Sequence, residues 1–117
     1  MSTDPTDPAG LTSPVVERAV HTEMGSITLV DGALRLSGEI DAHLCGTWRG
    51  SGTDLSGVQV VDAREVTFLG SSGLALLAEV ARAHGRGVPL WTAQRAVLRP
   101  LRMTGLEPLF DVRDPAT

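Results

Sequence analysis

The sequence contains no lysine, because all ten of its basic residues are arginines. It therefore lacks the amine that Schiff-base enzymes use and the phosphate-binding lysine of a P-loop. Its single cysteine, Cys45, can form neither an internal disulfide nor a metal site by itself. We expect Cys45 to be a small apolar residue on a helix in a protein of a reducing compartment.

Aromatic residues are also scarce, at 3% of a chain whose hydrophobic share is 42%. This composition predicts a soluble globular protein with an aliphatic core. No apolar run is long enough to cross a bilayer, and residues 1–14 carry neither the basic nor the apolar region of a signal peptide. We expect a disordered tail over 1–14, one domain over 15–114, and a cytoplasmic protein with no membrane partner.

Positive charge is too sparse for a nucleic-acid surface. The formal net charge is −4, with ten acidic and four basic residues in 1–65 and four acidic and six basic residues afterwards. Proteins that bind nucleic acid usually present a strong basic patch. We therefore expect no nucleic-acid partner.

A β-hairpin is the clearest local signal. The segment "ITLVDGALRLSG" places Asp31-Gly32 between two apolar runs, and these two residue types tolerate the positive φ of a two-residue turn. Such a loop pairs Val30 with Ala33 and puts one set of apolar residues on one face of the sheet. That set is Ile27, Leu29, Leu34 and Leu36.

The rest of the chain alternates helix and strand signals, which predicts a small mixed α/β sheet. The predicted elements are a helix over 42–50 capped by Asp41, a buried parallel strand over 58–63 followed by a loop, a helix over 72–84 ended by Gly85, a strand over 87–92, a helix over 93–106, and an edge strand over 109–113. Pro100 falls inside the last helix, so we expect a late helix start or a kink. Gly105 should end that helix in a left-handed conformation and let Leu106 fold back.

Two serines flanked by glycines, in "FLGSSGLALL", lie where a strand gives way to a helix. One alternative is that Ser71 or Ser72 only caps the helix, which contributes about 1 kcal/mol. A hydrolase elbow would need a glycine at the position of Leu74, and His84 lies about 18 Å away along the helix. A phosphate loop would need a lysine. The pattern therefore indicates no catalytic residue.

Metal binding and cofactor binding receive no better support. Asp41 and His43 are two potential ligands without a third nearby, so a helix cap and a surface histidine explain them. We predict a protein that is not an enzyme and that has no metal or cofactor.

Three motifs in order, "LRLSGEID", "VTFLGSSGLALL" and "VLRPLRMTGLEPLF", resemble the STAS domain of bacterial anti-sigma factor antagonists. The resemblance covers about residues 25–112. It implies a small mixed sheet with helices mainly on one face. It also implies a switch that binds an anti-sigma factor with serine kinase activity and frees a sigma factor for transcription. A serine phosphatase is a further candidate partner.

The resemblance also implies the site. The family's phosphoacceptor falls on Ser71, with Ser72 as second choice, and phosphate there would weaken partner binding. The implied partner surface is Gly38, Glu39, Ile40, Asp41, Gly70, Ser71, Ser72 and Gly73. From spacing alone, the segment 38–41 is equally well explained as a turn and a helix cap. The family usually has Asp where this chain has Gly70. The alternative function is therefore an unphosphorylated STAS module that serves as a structural subunit in a signalling or lipid-transport complex.

Overall fold

One mixed sheet organises the chain. The computed structural model describes residues 16–52, 54–85 and 87–115, and within these ranges it contains six strands, three α-helices and two short 3-10 helices. In chain order the strands and α-helices are β1 (Val16–His21), β2 (Gly25–Val30), β3 (Ala33–Ile40), α1 (Ala42–Gly50), β4 (Val60–Leu69), α2 (Ser71–His84), β5 (Val88–Trp91), α3 (Arg95–Met103) and β6 (Phe110–Arg113). The spatial order is β1-β2-β3-β4-β5-β6. The predicted tail over 1–14 lies outside the described residues.

One strand, β2, runs opposite to the other five strands of the sheet. β1, β2 and β3 pair antiparallel, whereas β3, β4, β5 and β6 pair parallel. Helices connect the parallel strands, as parallel pairing requires a crossover between successive strands. The predicted mixed α/β sheet is therefore confirmed.

The hairpin of β2 and β3 forms in the predicted register. Val30 pairs with Ala33 and Ile27 pairs with Leu36. Asp31 and Gly32 adopt φ values of 50° and 79°, which suit the tight turn of a hairpin. The four predicted apolar side chains are all buried, so the alternating pattern identified the core face of the sheet.

The sheet is larger than the sequence predicts. β1 was not predicted at all, although it pairs with β2 from Val16 to His21. β4 begins at Val60 and runs to Leu69, so the loop expected after residue 63 is wrong. The pairing of β4 with β3 shifts register twice. These β-bulges separate the buried residues of β4 by two, three and three positions, which hides the period of two that identifies a strand.

Helix α1 has the predicted N-cap residue and helix α2 has the predicted C-terminal end. Oδ1 of Asp41 accepts a hydrogen bond of 2.9 Å from the backbone N–H of Leu44, so Asp41 caps α1. Leu44 and Trp48 are buried one turn apart. α2 begins at Ser71, one residue earlier than predicted, and ends at Gly85 as expected.

Helix α3 is shorter than predicted and contains Pro100 in its interior. It starts at Arg95, two residues later than expected, but this start still leaves the proline at the sixth helical position. Since proline has no N–H, the carbonyl of Ala96 lacks its usual helical donor. At the C-terminal end of the helix, Gly105 adopts the predicted left-handed conformation, with φ 76°. Leu106 folds back as predicted, and its N–H donates a hydrogen bond of 2.9 Å to Leu101 O.

The core lies between one face of the sheet and the helices. Its strand residues share that face; they are Ile27, Leu29, Leu34, Leu36, Val61, Ala63, Val88 and Leu90. The opposite face carries Arg35 and Asp62, which form an ion pair of 3.4 Å. The core is aliphatic as predicted, except for Trp48 and Phe110.

Candidate functional site

The two segments singled out in the sequence lie side by side at one edge of the sheet. Ile40 at the end of β3 pairs with Leu69 at the end of β4. The N–H of Gly70 donates a hydrogen bond of 3.1 Å to Ile40 O. Because β3 and β4 are parallel, segments 38–41 and 70–73 both occupy their carboxyl ends, where α1 and α2 begin. We call these two segments the serine edge.

The helix that carries the serines has no side-chain cap. The N-cap residue of α2 is Gly70, which has no side chain that could accept a hydrogen bond from the amides of the first turn. Within the described ranges, neither the Ser71 hydroxyl nor the Ser72 hydroxyl forms a hydrogen bond. The alternative that a serine serves as the helix cap is therefore wrong. The first-turn N–H groups remain available to an external acceptor.

The accessibility of the serine pair decreases along the chain. Ser71, the first residue of α2, is exposed, Ser72 is half-buried, and Gly73 is buried. An approaching molecule therefore reaches the hydroxyl of Ser71 more easily than that of Ser72. This order agrees with the choice of Ser71 over Ser72 as the candidate phosphoacceptor.

Gly73 allows α2 to start close to both strand ends. A Cβ at this position would lie 2.5 Å from Cδ1 of Leu69 and 3.1 Å from Cγ2 of Ile40. Both distances are shorter than ordinary carbon contacts of about 3.5 Å or more. The absence of a side chain thus lets the first turn of α2 pack directly on the ends of β3 and β4.

The segment 38–41 also depends on a glycine. Gly38 has φ 74° and lies opposite Gly25, and a Cβ on Gly38 would collide with the carbonyl oxygen of Met24. Just beyond it, the N–H of Glu39 donates a hydrogen bond of 2.8 Å to Met24 O. Asp41 caps α1, so the helix-cap interpretation of this residue is correct. A cap at the edge of the sheet is compatible with a role in partner contact.

Phe68 is a residue of this region that sequence reasoning missed. It pairs with Glu39, is 50% exposed, and its ring lies so close to Gly70 that a Cβ there would be 3.3 Å from the ring. The second bulge of β4 turns Phe68 outward, and no local sequence signal locates that bulge. An exposed aromatic beside the serine edge is a typical feature of contact surfaces.

The buried cysteine does not belong to this site. Cys45 lies on α1 in the core, as predicted, and burial raises the pKa of its thiol. The thiol therefore stays protonated at neutral pH, and the protonated form is a poor nucleophile. This arrangement indicates a packing role.

The described residues contain neither a metal-binding cluster nor a membrane-spanning helix. In residues 16–52, 54–85 and 87–115, no three His, Cys, Asp or Glu side chains are grouped so that they could hold a metal ion. Over the same residues, no helix has both the length and the apolar character that a membrane crossing demands.

A small mixed sheet with two helix N-termini at one edge defines a class of compact α/β domain. Comparisons with known protein families and solved structures show which family within that class the chain belongs to. The model of the family described as "Mlab, STAS domain" matches residues 24–111. The chain is also similar to the crystal structure of an anti-sigma factor antagonist from Mycobacterium paratuberculosis, at 26% sequence identity and a TM-score of 0.56. That similarity covers 86% of this chain and 83% of that chain. No curated protein sequence matches this chain.

The family match extends over most of the chain and includes both segments of the serine edge. The chain therefore belongs to the family of STAS domains, and its fold is that of the mycobacterial neighbour. The family assignment made from the three motifs is thus confirmed.

Proposed function

We propose that this protein is an anti-sigma factor antagonist of the bacterial cytoplasm. In this proposal it binds an anti-sigma factor that is also a serine kinase, and binding releases a sigma factor for transcription. Phosphorylation of Ser71 ends the interaction. The observation that carries the proposal is the Ser71 hydroxyl, which is exposed at the serine edge and forms no hydrogen bond within the described ranges. The similarity to a solved antagonist supports the same conclusion.

The position of Ser71 suits a reversible modification. Its hydroxyl has no hydrogen-bond partner among the described residues, so a phosphoryl group would break no internal contact. The phosphate would add −1.5 to −2 charges next to free amides at a helix N-terminus, where anions are tolerated. We therefore expect the phosphorylated domain to remain folded.

The effect on a docked partner is expected to be large. A partner that covers the serine edge would have to bury the phosphate without matched donors or place it against like charge. Such a penalty amounts to several kcal/mol, and about 4 kcal/mol corresponds to a thousandfold loss of affinity. The same modification thus leaves the fold intact and removes binding.

Phosphorylation is tested by incubating the protein with ATP, Mg²⁺ and an anti-sigma factor kinase from the same organism. Intact mass should show one added phosphoryl group on the wild type and on Ser72→Ala, but none on Ser71→Ala. Ser72→Ala is the matched control, because it removes the neighbouring hydroxyl. Addition to Ser71→Ala but not to Ser72→Ala would move the site to Ser72.

Binding is tested with Ser71→Asp, with Ser71→Asn as a neutral control of similar size. By titration calorimetry, Ser71→Asp should weaken the complex by about a hundredfold or more, whereas Ser71→Asn should stay close to wild type. Both variants should melt near the wild-type temperature. A complex that forms normally with Ser71→Asp would contradict the proposed switch.

The two experiments also distinguish the proposed switch from the alternative function, an unphosphorylated structural module. Gly70 leaves the position before Ser71 without a carboxylate, which could otherwise orient a kinase substrate. A protein that binds its partner stably and never gains a phosphoryl group would be an unphosphorylated scaffolding module.

A further inference from the structure

A groove next to the serine edge has no role in the function proposed so far. It has a volume of about 560 Å³ and lies between the end of β4 and one side of α3. Its apolar lining includes Phe68, Ala96, Pro100 and Met103. Phe68 and Met103 are 50% and 75% exposed, and both belong to the few large hydrophobic side chains exposed in the described part of the chain. Two of these residues in one groove indicate a contact surface.

Two arginines, Arg95 and Arg99, line the same groove. Over the described residues neither forms an ion pair, whereas the next arginine of the helix, Arg102, pairs with Glu107 at 3.2 Å. Because Arg95 and Arg99 are four positions apart, they lie on the same face of α3. The groove therefore combines an apolar floor with positive charge that no described carboxylate neutralises.

These arginines do not serve the stability of α3. Arg95 is the first residue of the helix, where the helix dipole disfavours a cation, and α3 has no acidic residue in its first turn. Arg99 follows one turn later, and like charges at this spacing destabilise a helix by a few tenths of a kcal/mol. Residues that break local rules without an internal gain are typical of functional surfaces. A negatively charged partner would remove both penalties.

The groove is continuous with the serine edge. The ring of Phe68 lines the groove and also lies beside Gly70, the residue before Ser71. A partner seated over Ser71 would therefore contact Phe68, and a short extension of it would reach Arg99. Continuity with the proposed interface favours a protein segment as the occupant.

We infer that the groove between β4 and α3 binds an acidic segment of the anti-sigma factor. In this arrangement, apolar side chains of the segment rest on Phe68 and Met103, and its carboxylates pair with Arg95 and Arg99. This inference rests on the proposed function, since the same partner covers the serine edge. It adds a second contact, which determines partner choice by charge and is independent of the phosphorylation state.

The test measures the dissociation constant of the purified anti-sigma factor complex for groove variants and matched controls. Phe68→Ala and Arg99→Glu should each weaken binding about tenfold or more. Leu109→Ala and Arg82→Glu are the controls, because Leu109 is an exposed apolar residue, Arg82 is an exposed arginine, and both lie outside the groove. The controls should change the constant less than about twofold. Thermal melting of each variant verifies that it is folded.

Salt dependence provides a second readout. Added NaCl should weaken the affinity of the wild type for its partner, since salt screens exposed charge pairs. The same NaCl concentration should weaken the affinity of an Arg95→Gln, Arg99→Gln double variant less. An unchanged salt dependence, with unchanged affinity, would overturn the inference.

The outcomes separate the inference from the proposed function. Normal binding by the groove variants, together with loss of binding by Ser71→Asp, overturns the inference and leaves the proposed function standing. Absence of any wild-type complex overturns both. Co-sedimentation with phosphatidylglycerol vesicles that depends on Arg95 and Arg99, without an effect on the protein complex, would assign the groove to anionic lipid and overturn the inference.

Discussion

The close packing of Gly73 leads to a stability prediction that can be worked out from a pair of glycines. Gly73 and Gly46 both lie in helices, and replacing either by alanine gains up to about 1 kcal/mol of helix propensity. A Cβ at Gly46 would meet nothing within 4 Å, whereas one at Gly73 would lie 2.5 Å from Cδ1 of Leu69. Overpacking of this kind costs about 1–3 kcal/mol. The two substitutions should therefore differ in sign or in size.

Gly46→Ala should stabilise the protein by about 0.5–1 kcal/mol. Gly73→Ala should be neutral or destabilising by up to about 2 kcal/mol, because the packing cost offsets the propensity gain. Urea unfolding followed by circular dichroism measures both values, and an unchanged denaturant slope would show that only stability changed. In a domain of this size, 1 kcal/mol corresponds to about 4–8 °C in melting temperature.

The refuting result is specific. If Gly73→Ala stabilises the protein as much as Gly46→Ala, the first turn of α2 does not depend on close packing against β3 and β4. The serine edge would then be held less rigidly than we argue. A Gly73→Ala variant that also retained full partner binding would remove the structural reason for a glycine after the serine pair.

Three further predictions concern the stability of the fold. Asp41→Ala should cost about 1 kcal/mol in urea unfolding, because it removes the 2.9 Å bond to the N–H of Leu44, whereas Asp41→Asn should cost less. Arg64 donates hydrogen bonds of 2.9 Å to Asp62 and thereby holds the pKa of the Asp62 carboxyl below its ordinary value. The stability that this pair contributes is therefore present at neutral pH and lost as pH falls below about 4. Asp62→Asn should accordingly flatten the acid side of a stability-against-pH curve, and an unaltered curve would contradict this. Trp48→Ala should destabilise by about 3–5 kcal/mol, and a loss below 1 kcal/mol would mean that the ring is not a core residue.

Local chemistry alone determined several features of this protein. The Asp31-Gly32 turn set the register of β2 and β3, Asp41 marked the start of α1, and Gly105 ended α3 so that Leu106 folds back, as predicted. Each of these depends on residues within a few positions of one another, so the sequence pattern contains the whole cause. The three ordered motifs identified the family for a related reason, since they are short, contiguous stretches.

The composition of the site depended on long-range packing. The two bulges of β4 arise from its pairing with β3, which lies beside it in the sheet but precedes it by more than twenty residues in sequence. Those bulges extend β4 to Leu69, turn Phe68 outward, and bring Gly70 beside Ile40 so that a glycine, and no serine, occupies the helix cap.

The hairpin, the helices, the family and the serine pair could thus be predicted from the sequence, because each depends on short, contiguous stretches of residues. Contacts between distant segments, in contrast, determined that β1 joins the sheet, that the Ser71 hydroxyl is exposed and has no hydrogen-bond partner among the described residues, and that Arg95 and Arg99 line an apolar groove beside it. Pairing and packing between distant segments decide which side chains meet, and no local pattern encodes that choice.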